Sequence, residues 1–412
     1  MVRRSLSIGV LGSLVLLTGC SALGDDGSSD QAAISSSENA PITQSFQADG
    51  KLDSYLASMT TEVKPYSLPF VEAGAKTFKP GQYGNVTFGK FKGAAGKNIA
   101  YGIYKAEAER AALVLVPGRT ESFGKYGELI YDMRQSGVSV YAMDIRGQGW
   151  SDRLLDDDRE KGYIDSFDYY VDDVKTFRDT IVMASPHPKT ILFGHSTGGG
   201  INTLYLEQHP GDFDAAILNS PMHEIKTDPL WEWVASGVTG ALMLIEKGDD
   251  YAPGSGPYKL GAFAANGCEH SPERWKNATQ FSAEFPETRI GGATNGWVHR
   301  SIAATHTMKD NASKIRTPFL LLQARQDDVV VPAAQDVICD AANANGAAIC
   351  TKVSFGDASL TKEQCQAALD RNDLVTADRC AGHELLFERD RVRGEVEKAI
   401  SSYVDKVTGV RR

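Results

Sequence analysis

The sequence predicts an α/β fold in which helices cover both faces of a mostly parallel sheet and a cap is inserted above it. Three observations support this prediction. Short apolar runs, typical of strands buried on both faces, recur along the chain. Segments with helical spacing lie between those runs, as they do in parallel sheets. One interval, residues 223–314, breaks the alternation with aromatic residues and Gly-rich turns, and we expect it to form the cap.

The predicted elements begin with an antiparallel pair, Val86 to Phe91 and Ile99 to Tyr104, joined by a Gly-rich turn. The buried strands that follow are expected at Ala112 to Val116, Val138 to Met143, Thr190 to Phe193, Ala215 to Leu218 and Phe319 to Gln323. Helical spacing is found near Tyr126 to Gln135, Phe167 to Ala184 and Gly199 to Gln208.

The N-terminus carries an export signal. Two arginines precede an apolar run over residues 6–17 that is too short to cross a bilayer, so residues 1–19 are expected to be a signal peptide. The run ends Thr18-Gly19-Cys20, which resembles the bacterial lipobox, and Cys20 would be the lipidated mature N-terminus. Ser21 in place of an aspartate favours delivery to the outer membrane. The alternative is an ordinary secretory signal with an incidental cysteine.

Residues 20–50 are rich in Ser, Asp, Gly, Ala and Gln and predict a flexible tether, followed by one catalytic domain over residues 51–412. The formal charge of −10 becomes −12 after cleavage, because residues 1–19 contain two arginines and no acids. Such a surface is repelled by nucleic acid and by anionic membranes. We therefore expect no nucleic-acid partner, and attachment to the membrane through the lipid on Cys20.

Four cysteines lie close together late in the chain, without the spacing of a zinc site. An exported protein meets an oxidising compartment, which favours two disulfides within a second insertion over residues 339–381. We expect Cys339 to pair with Cys350 and Cys365 with Cys380, leaving Cys268 over, although four cysteines allow three pairings. Free buried thiols are the alternative.

The clearest catalytic motif is Gly-His-Ser-Thr-Gly over residues 194–198, which matches G-x-S-x-G. It directly follows an apolar run and directly precedes a helical pattern. Glycines permit a tight strand-to-helix turn that lifts the Ser196 hydroxyl above the sheet. The alternative is a serine in a plain turn, which would not need a buried strand before it and a helix after it.

A nucleophilic serine needs a histidine to accept its proton and an acid to orient that histidine. Asp327 and Asp328 both follow the predicted strand at Phe319 to Gln323, and His383 is the only histidine after His306. The order serine, acid, histidine is that of the α/β-hydrolase fold. For the oxyanion hole, the N–H of Thr197 and the N–H of Arg119, after an early strand, are the candidates.

Five segments together resemble the monoacylglycerol lipase and bacterial lysophospholipase branch of the α/β hydrolases, from about Phe88 to Tyr403. The resemblance implies Ser196 as nucleophile, Asp327 as acid, with Asp328 ranked second, and His383 as base. Two features depart from the family: Pro117-Gly118 where His-Gly is common, and the cysteine-bearing insertion. The segments are Val-Pro-Gly-Arg-Thr-Glu-Ser from Val116, Tyr-Ala-Met-Asp-Ile-Arg-Gly-Gln-Gly-Trp-Ser from Tyr141, Gly-His-Ser-Thr-Gly-Gly from Gly194, Leu-Leu-Leu-Gln-Ala from Leu320, and Gly-His-Glu-Leu-Leu-Phe-Glu-Arg-Asp from Gly382.

The resemblance, with the lipobox, implies an outer-membrane lipoprotein that hydrolyses the acyl ester of lysophospholipids, such as lysophosphatidylcholine, through an acyl-enzyme. No metal or organic cofactor is expected. A monoacylglycerol lipase or general carboxylesterase is the nearest alternative, since head-group choice depends on cap contacts. A peptidase of the proline-iminopeptidase type would need carboxylates over the site. An inactive lipid-binding lipoprotein is the non-enzymatic alternative. The sequence leaves the oligomeric state open.

Overall fold

The computed structural model describes residues 86–227, 230–263, 266–344, 346 and 349–410. The predicted signal peptide, the tether with Cys20, and the first part of the catalytic domain, residues 51–85, lie outside these residues.

Eight strands form one sheet in the order β1-β2-β4-β3-β5-β6-β7-β8. The β1–β2 and β2–β4 pairs are antiparallel, and all the other neighbouring pairs are parallel. The predicted mostly parallel sheet and its antiparallel start are confirmed. The strands are β1 Val86–Lys92, β2 Asn98–Tyr104, β3 Ala111–Val116, β4 Val138–Met143, β5 Thr190–His195, β6 Ala215–Asn219, β7 Phe319–Ala324 and β8 Cys350–Phe355.

Helices connect the parallel strands, and none of those in the described ranges is both long and apolar enough to cross a membrane. The α-helices are α1 Gly127–Gln135, α2 Phe167–Thr180, α3 Thr197–Gln208, α4 Glu232–Leu244, α5 Pro272–Glu284, α6 Asn295–Asn311, α7 Pro332–Asn343, α8 Lys362–Asp370, α9 Leu374–Ala377 and α10 Asp390–Thr408. Short 3-10 turns lie at Ala94–Gly96, Phe123–Tyr126, Val182–Ala184, Pro286–Thr288, Ala312–Lys314 and Leu385–Phe387.

Alternate residues of the central strands enter two separate cores, one on each face of the sheet. Val114 and Leu192 belong to the core that α2, α3 and α6 cover, whereas Leu115 and Phe193 belong to the core under α1 and α10. Every residue of β3, β4, β5, β6 and β7 is buried. Burial on both faces explains why these strands read as continuous apolar runs.

The eighth strand corrects the prediction of a second insertion over residues 339–381. The first part of that interval is the end of α7 and the edge strand β8, which pairs in parallel with β7. The side chains of β8 are buried at its two ends and exposed or half-buried between them. Because it lies at the sheet edge, β8 lacks the apolar run by which the inner strands were predicted. The segment beyond the sheet begins after Phe355 and carries α8 and α9.

The interval between β6 and β7 holds α4, α5 and α6. Buried ion pairs fasten α5 to the body of the protein. The Arg274 guanidinium donates to both oxygens of Glu128 on α1, each at 3.0 Å, and to Asp390 at the start of α10 at 2.8 Å. By contrast, the outer side of α4 and its flanks leave large apolar side chains in solvent, with Trp231 72% and Leu244 86% exposed.

Candidate active site

Ser196 lies in a tight turn between β5 and α3, with a backbone φ of 51° and ψ of −119°. This strained conformation is held by three hydrogen bonds. The Ser196 N–H donates to the Asn219 carbonyl (3.0 Å), and the Ser196 carbonyl accepts from the N–H groups of Gly200 (3.0 Å) and Met222 (2.8 Å). Strain of this kind persists where the surroundings enforce it, and it is typical of active sites.

The glycines of the motif are required by the space around the turn. A Cβ on Gly198 would lie 2.2 Å from the Val116 carbonyl oxygen, and one on Gly194 would lie 2.4 Å from the Asn202 side chain. The first contact is with backbone, which cannot move aside as a flexible side chain can. The absence of a side chain at Gly198 therefore lets α3 begin directly against the end of β3.

Asp327 and His383 are joined by a hydrogen bond of 2.8 Å between Asp327 Oδ2 and His383 Nδ1, and both side chains are almost wholly buried. The other oxygen, Asp327 Oδ1, accepts from the N–H groups of Val329 (2.8 Å) and Val330 (3.0 Å). A carboxylate held in this way fixes the orientation of the imidazole. The loop after β7 thus places Asp327, the expected acid, against His383, the expected base.

Asp328, the second candidate for the acid, points away from the histidine. Its carboxylate contacts the ammonium groups of Lys226 at 3.2 Å and Lys362 at 2.7 Å, and it is 39% exposed. Partial burial opposes the charge, but these two lysines outweigh it and lower the pKa of Asp328. Asp328 therefore belongs to a surface ion cluster.

His383 Nε2 is buried and has no hydrogen-bond partner among the described residues. It lines the same cavity as Ser196, Thr197 and Arg119. A histidine oriented by a carboxylate at Nδ1, with Nε2 open to the cavity that holds a strained serine, can take the proton of that serine.

The two expected oxyanion donors border this cavity. Thr197 is the first residue of α3, where N–H groups have no acceptor within the helix. The neighbouring Gly118 N–H is already taken by Glu121 Oε2 at 2.6 Å. Arg119 therefore remains the candidate in the loop after β3. Its guanidinium donates to the Gly291 carbonyl at 3.1 Å, and burial lowers its pKa to about 10.

Comparison with known proteins matches residues 107–352 to the family described as Hydrolase_4, serine aminopeptidase S33. The chain belongs to this serine hydrolase family. Lysophospholipase L2 of Escherichia coli K12 is 33% identical over 317 residues, which cover 77% of this chain and 87% of that protein. A monoacylglycerol lipase of Mycolicibacterium smegmatis is 26% identical over 61% of this chain and 82% of its own length.

Solved structures show the fold of this hydrolase. The monoacylglycerol lipase of Paleococcus ferrophilus covers 76% of this chain with 99% of its own, at a TM-score of 0.56 and 20% identity. A carboxyl esterase of Bacillus coagulans covers 78% of this chain with 99% of its own, at a TM-score of 0.58 and 16% identity. The predicted α/β-hydrolase fold is confirmed.

Sequence reasoning missed a buried charged cluster beside His383 in this hydrolase. Lys125 lies between two carboxylates, with its ammonium 2.5 Å from Glu121 and 2.9 Å from Glu384. Glu384 also lies 3.4 Å from His195 Nε2, and the rings of His195 and His383 are 4.9 Å apart. Both glutamates stand in the segments that carry the family resemblance, but their meeting depends on contacts distant in sequence.

The charges in this cluster stabilise one another. Burial alone would raise the pKa of Glu384, but Lys125 and then His195 outweigh burial and hold it well below its usual range. Burial opposes charge on His195, and the Glu384 carboxylate reverses that effect and raises its pKa. Glu121, His195 and Glu384 could together hold a metal ion on spacing alone, with ligand atoms within 4.8 Å of one another. The Lys125 ammonium contacts both carboxylates and supplies positive charge to the cluster where a metal ion otherwise would.

The structure also shows how the cysteines pair. Cys339 is bonded to Cys350 and Cys365 to Cys380, the pairs expected from the sequence. Cys268 is disulfide-bonded as well, so the prediction that it is left over is wrong. That prediction rested on spacing along the chain, which does not report which cysteines meet in space.

Proposed function

We propose that this hydrolase is a lysophospholipase that releases the fatty acid of a lysophospholipid through an acyl-enzyme on Ser196. The observation that carries the proposal is the buried pair of Asp327 and His383 beside the strained serine, in a chain 33% identical to a lysophospholipase over 87% of that relative.

The reaction follows from these positions. Ser196 Oγ attacks the ester carbonyl while His383 Nε2 accepts its proton, and the N–H groups of Thr197 and Arg119 stabilise the oxyanion. The intermediate collapses, the ester bond breaks, and the departing glycerol oxygen takes the proton from His383. Water then attacks the acyl-enzyme by the same route and releases the fatty acid. Asp327 holds the imidazole in place and stabilises the imidazolium.

Apolar side chains around the nucleophile suit an acyl chain. Met222, Trp297, Val329 and Val330 line the catalytic cavity with the triad residues. The exposed apolar side chains around α4 add a surface compatible with lipid.

The proposal is tested by fatty acid release from lysophosphatidylcholine, monoacylglycerol and diacyl phospholipid of one acyl length, with Ser196→Ala as control. We expect the lysophospholipid to be cleaved with the highest kcat/KM, and Ser196→Ala to fall to background. Full activity of Ser196→Ala would contradict the mechanism. Absence of release from all three lipids would support a binding lipoprotein instead.

A monoacylglycerol lipase is the second candidate, because a relative of that name aligns over 82% of its own length. A higher kcat/KM for monoacylglycerol than for the lysophospholipid would establish it. The family description raises an aminopeptidase as well, and carboxylates do lie near the site. Two of them, Glu121 and Glu384, are already paired with Lys125, which weakens that candidate.

We also propose that the chain is an outer-membrane lipoprotein anchored through Cys20, on the strength of the lipobox-like Thr18-Gly19-Cys20 after an apolar run. Mass spectrometry of the mature N-terminus should find acyl chains on Cys20, and Cys20→Ala should lose the membrane fraction. Cys20 is also the one cysteine of the chain outside the pairs Cys339–Cys350 and Cys365–Cys380 that could bond to Cys268. Because a thioether-linked cysteine cannot also form a disulfide, the same spectrum decides between the lipid and that disulfide, and an unmodified or disulfide-bonded Cys20 would overturn this proposal.

A further inference from the structure

A second cavity opens beside the catalytic one, and Glu121 and Glu384 line both. We call it the cap cavity. It is a partly enclosed cleft that is open to solvent at its mouth. Most of its wall comes from the segment between β6 and β7, including Tyr258, Glu269, Trp275, Phe281 and Arg289. A substrate whose ester lies at Ser196 can therefore extend into the cap cavity with its other end.

Glu269 is the unusual group in this wall. The residue is 3% exposed. Its Oε1 accepts a long hydrogen bond from Asn266 Nδ2 at 3.4 Å, and its Oε2 is buried with no hydrogen-bond partner in the described ranges. Buried carboxylate oxygens are rarely left without a donor unless a ligand or water supplies one. Glu269 Oε2 is thus a buried oxygen that can still form a hydrogen bond with a group bound in the cavity.

The neighbouring lysine does not fill this role. The Lys125 ammonium contacts Glu121 and Glu384 at 2.5 and 2.9 Å. Burial raises the pKa of Glu269 well above its usual range, Lys125 opposes the rise, and Glu384 and Glu388 add to it. A cation beside Glu269 would favour its ionised form.

The rest of the wall suits a zwitterion. Trp275 lines the cavity, and an aromatic side chain can attract a cation. Arg289 lies over the Tyr258 ring at 5.3 Å and donates through Nε to the Ser282 carbonyl at 2.7 Å, which fixes a guanidinium at the cavity wall. Guanidinium groups bind phosphate well.

We propose that the cap cavity binds the head group of a zwitterionic lysophospholipid, with its ammonium at Glu269 and Trp275 and its phosphate at Arg289. The proposal rests on the lysophospholipase function and names the substrate class. A primary ammonium donates hydrogen bonds, as Glu269 Oε2 requires, whereas a trimethylammonium has no N–H. We therefore expect the site to prefer an ethanolamine head group to a choline head group. Both should bind better than a glycerol head group, which carries no positive charge.

The test compares kcat and KM of the full chain for lysophosphatidylethanolamine, lysophosphatidylcholine and lysophosphatidylglycerol of one acyl length. In Glu269→Gln we expect KM for the ethanolamine lipid to rise about tenfold, the size of one charge-assisted hydrogen bond. KM for the glycerol lipid should change less than twofold. Glu273→Gln, an exposed acid on the same helix as Trp275, is the matched control and should change neither.

Equal changes of KM for all three lipids, or none for the ethanolamine lipid, would overturn the head-group site. A wild-type enzyme inactive on all three would instead contradict the lysophospholipase function. Faster cleavage of prolyl-naphthylamide than of any lysolipid, lost in Glu269→Gln, would assign the cavity to a peptide amino terminus and also overturn the proposal.

Inhibition of the wild-type chain keeps the test independent of whether Glu269→Gln folds. Glycerophosphoethanolamine should compete with substrate with a Ki about tenfold below that of glycerophosphoglycerol, because only the former carries an ammonium. Equal inhibition constants would contradict the proposal. Trp275→Leu should raise the first constant and leave the second unchanged.

Discussion

The floor and the roof of the active site are built in different ways. The floor consists of the loops at the carboxyl ends of β5 and β7 and the loop before α10, which carry Ser196, Asp327 and His383, each fixed by short hydrogen bonds. The roof consists of the segment between β6 and β7, where Glu269 has one long hydrogen bond and an oxygen without a partner in the described part of the chain. The side chains of the floor are held in position without a substrate. In the roof, by contrast, a buried carboxylate oxygen can still form a hydrogen bond with a ligand.

On the proposals above, the floor carries the chemistry and the roof selects the substrate. Sheet termini hold a few atoms in fixed positions, which acyl transfer requires. The cap segment touches the catalytic cavity through Trp297, but Ser196, Asp327 and His383 all lie outside that segment. Substitutions in the two regions should therefore change different quantities, as the following predictions test.

The largest effect is expected at the acid of the floor. Asp327→Asn should lower kcat by about 10⁴-fold, because an asparagine cannot stabilise the imidazolium and favours the wrong tautomer of His383. Asp328→Asn, one residue further along, should change kcat less than threefold, because Asp328 contacts two lysines at the surface. Steady-state kinetics measures both. Similar losses in the two variants would mean that the acid is misassigned.

The attachment of the roof should depend on Arg274. Replacing it with methionine removes a buried cation from Glu128 and Asp390, and Arg393, 3.1 Å from Glu128, compensates only in part, so the free energy of unfolding should fall by about 3–5 kcal/mol. Lys276→Met, an exposed position on the same helix, should change it by less than about 0.5 kcal/mol. Urea unfolding gives both values. A small loss for Arg274→Met would show that apolar contacts alone hold the cap.

Acid should destabilise the protein through His223, which follows β6. Burial lowers the pKa of His223 to about 3. The unfolded chain binds this proton near pH 6.5, so between pH 6 and 4 the unfolded state takes up a proton that the folded state does not. The free energy of unfolding should fall by about 1.4 kcal/mol per pH unit from this group.

The measurement is urea unfolding at pH 4, 5, 6 and 7. His223→Gln should remove that part of the pH dependence, and His306→Gln should keep it, because His306 is 58% exposed. Identical slopes in all three proteins would show that His223 is not the group that titrates.

The smallest effect is expected for an alanine substitution at Gly237, which contrasts with the same substitution at Gly198. Gly237→Ala, on the exposed side of α4 with no atom near the added Cβ, should raise the free energy of unfolding by about 0.5–1 kcal/mol. Gly198→Ala in the floor should instead lower both stability and kcat, because its Cβ would meet backbone at 2.2 Å. Thermal unfolding and kinetics of the pair measure this contrast. Destabilisation by Gly237→Ala would imply that α4 packs against a further surface.

The difference between the floor and the roof also explains which residues could be predicted from the sequence. Ser196 was predictable because its turn, glycines and flanking strand are contiguous in the chain. The choice between Asp327 and Asp328 needed the resemblance, since two adjacent acids after one strand are locally equivalent. Strand β8 was missed because this edge strand is buried only at its two ends and therefore lacks a continuous apolar run. Glu269, Lys125 and Arg289 could not be found, because their meeting depends on packing between distant segments.

The position of His383 has a consequence for the timing of activity. Ser196 comes before the cap segment in the chain, Asp327 follows that segment, and His383 lies just before α10. A chain that emerges amino terminus first, from a ribosome or across a membrane, therefore presents Ser196 well before His383, the residue proposed to accept its proton. A partly emerged chain that lacks His383 would hold the serine without its base and could not hydrolyse a lipid ester.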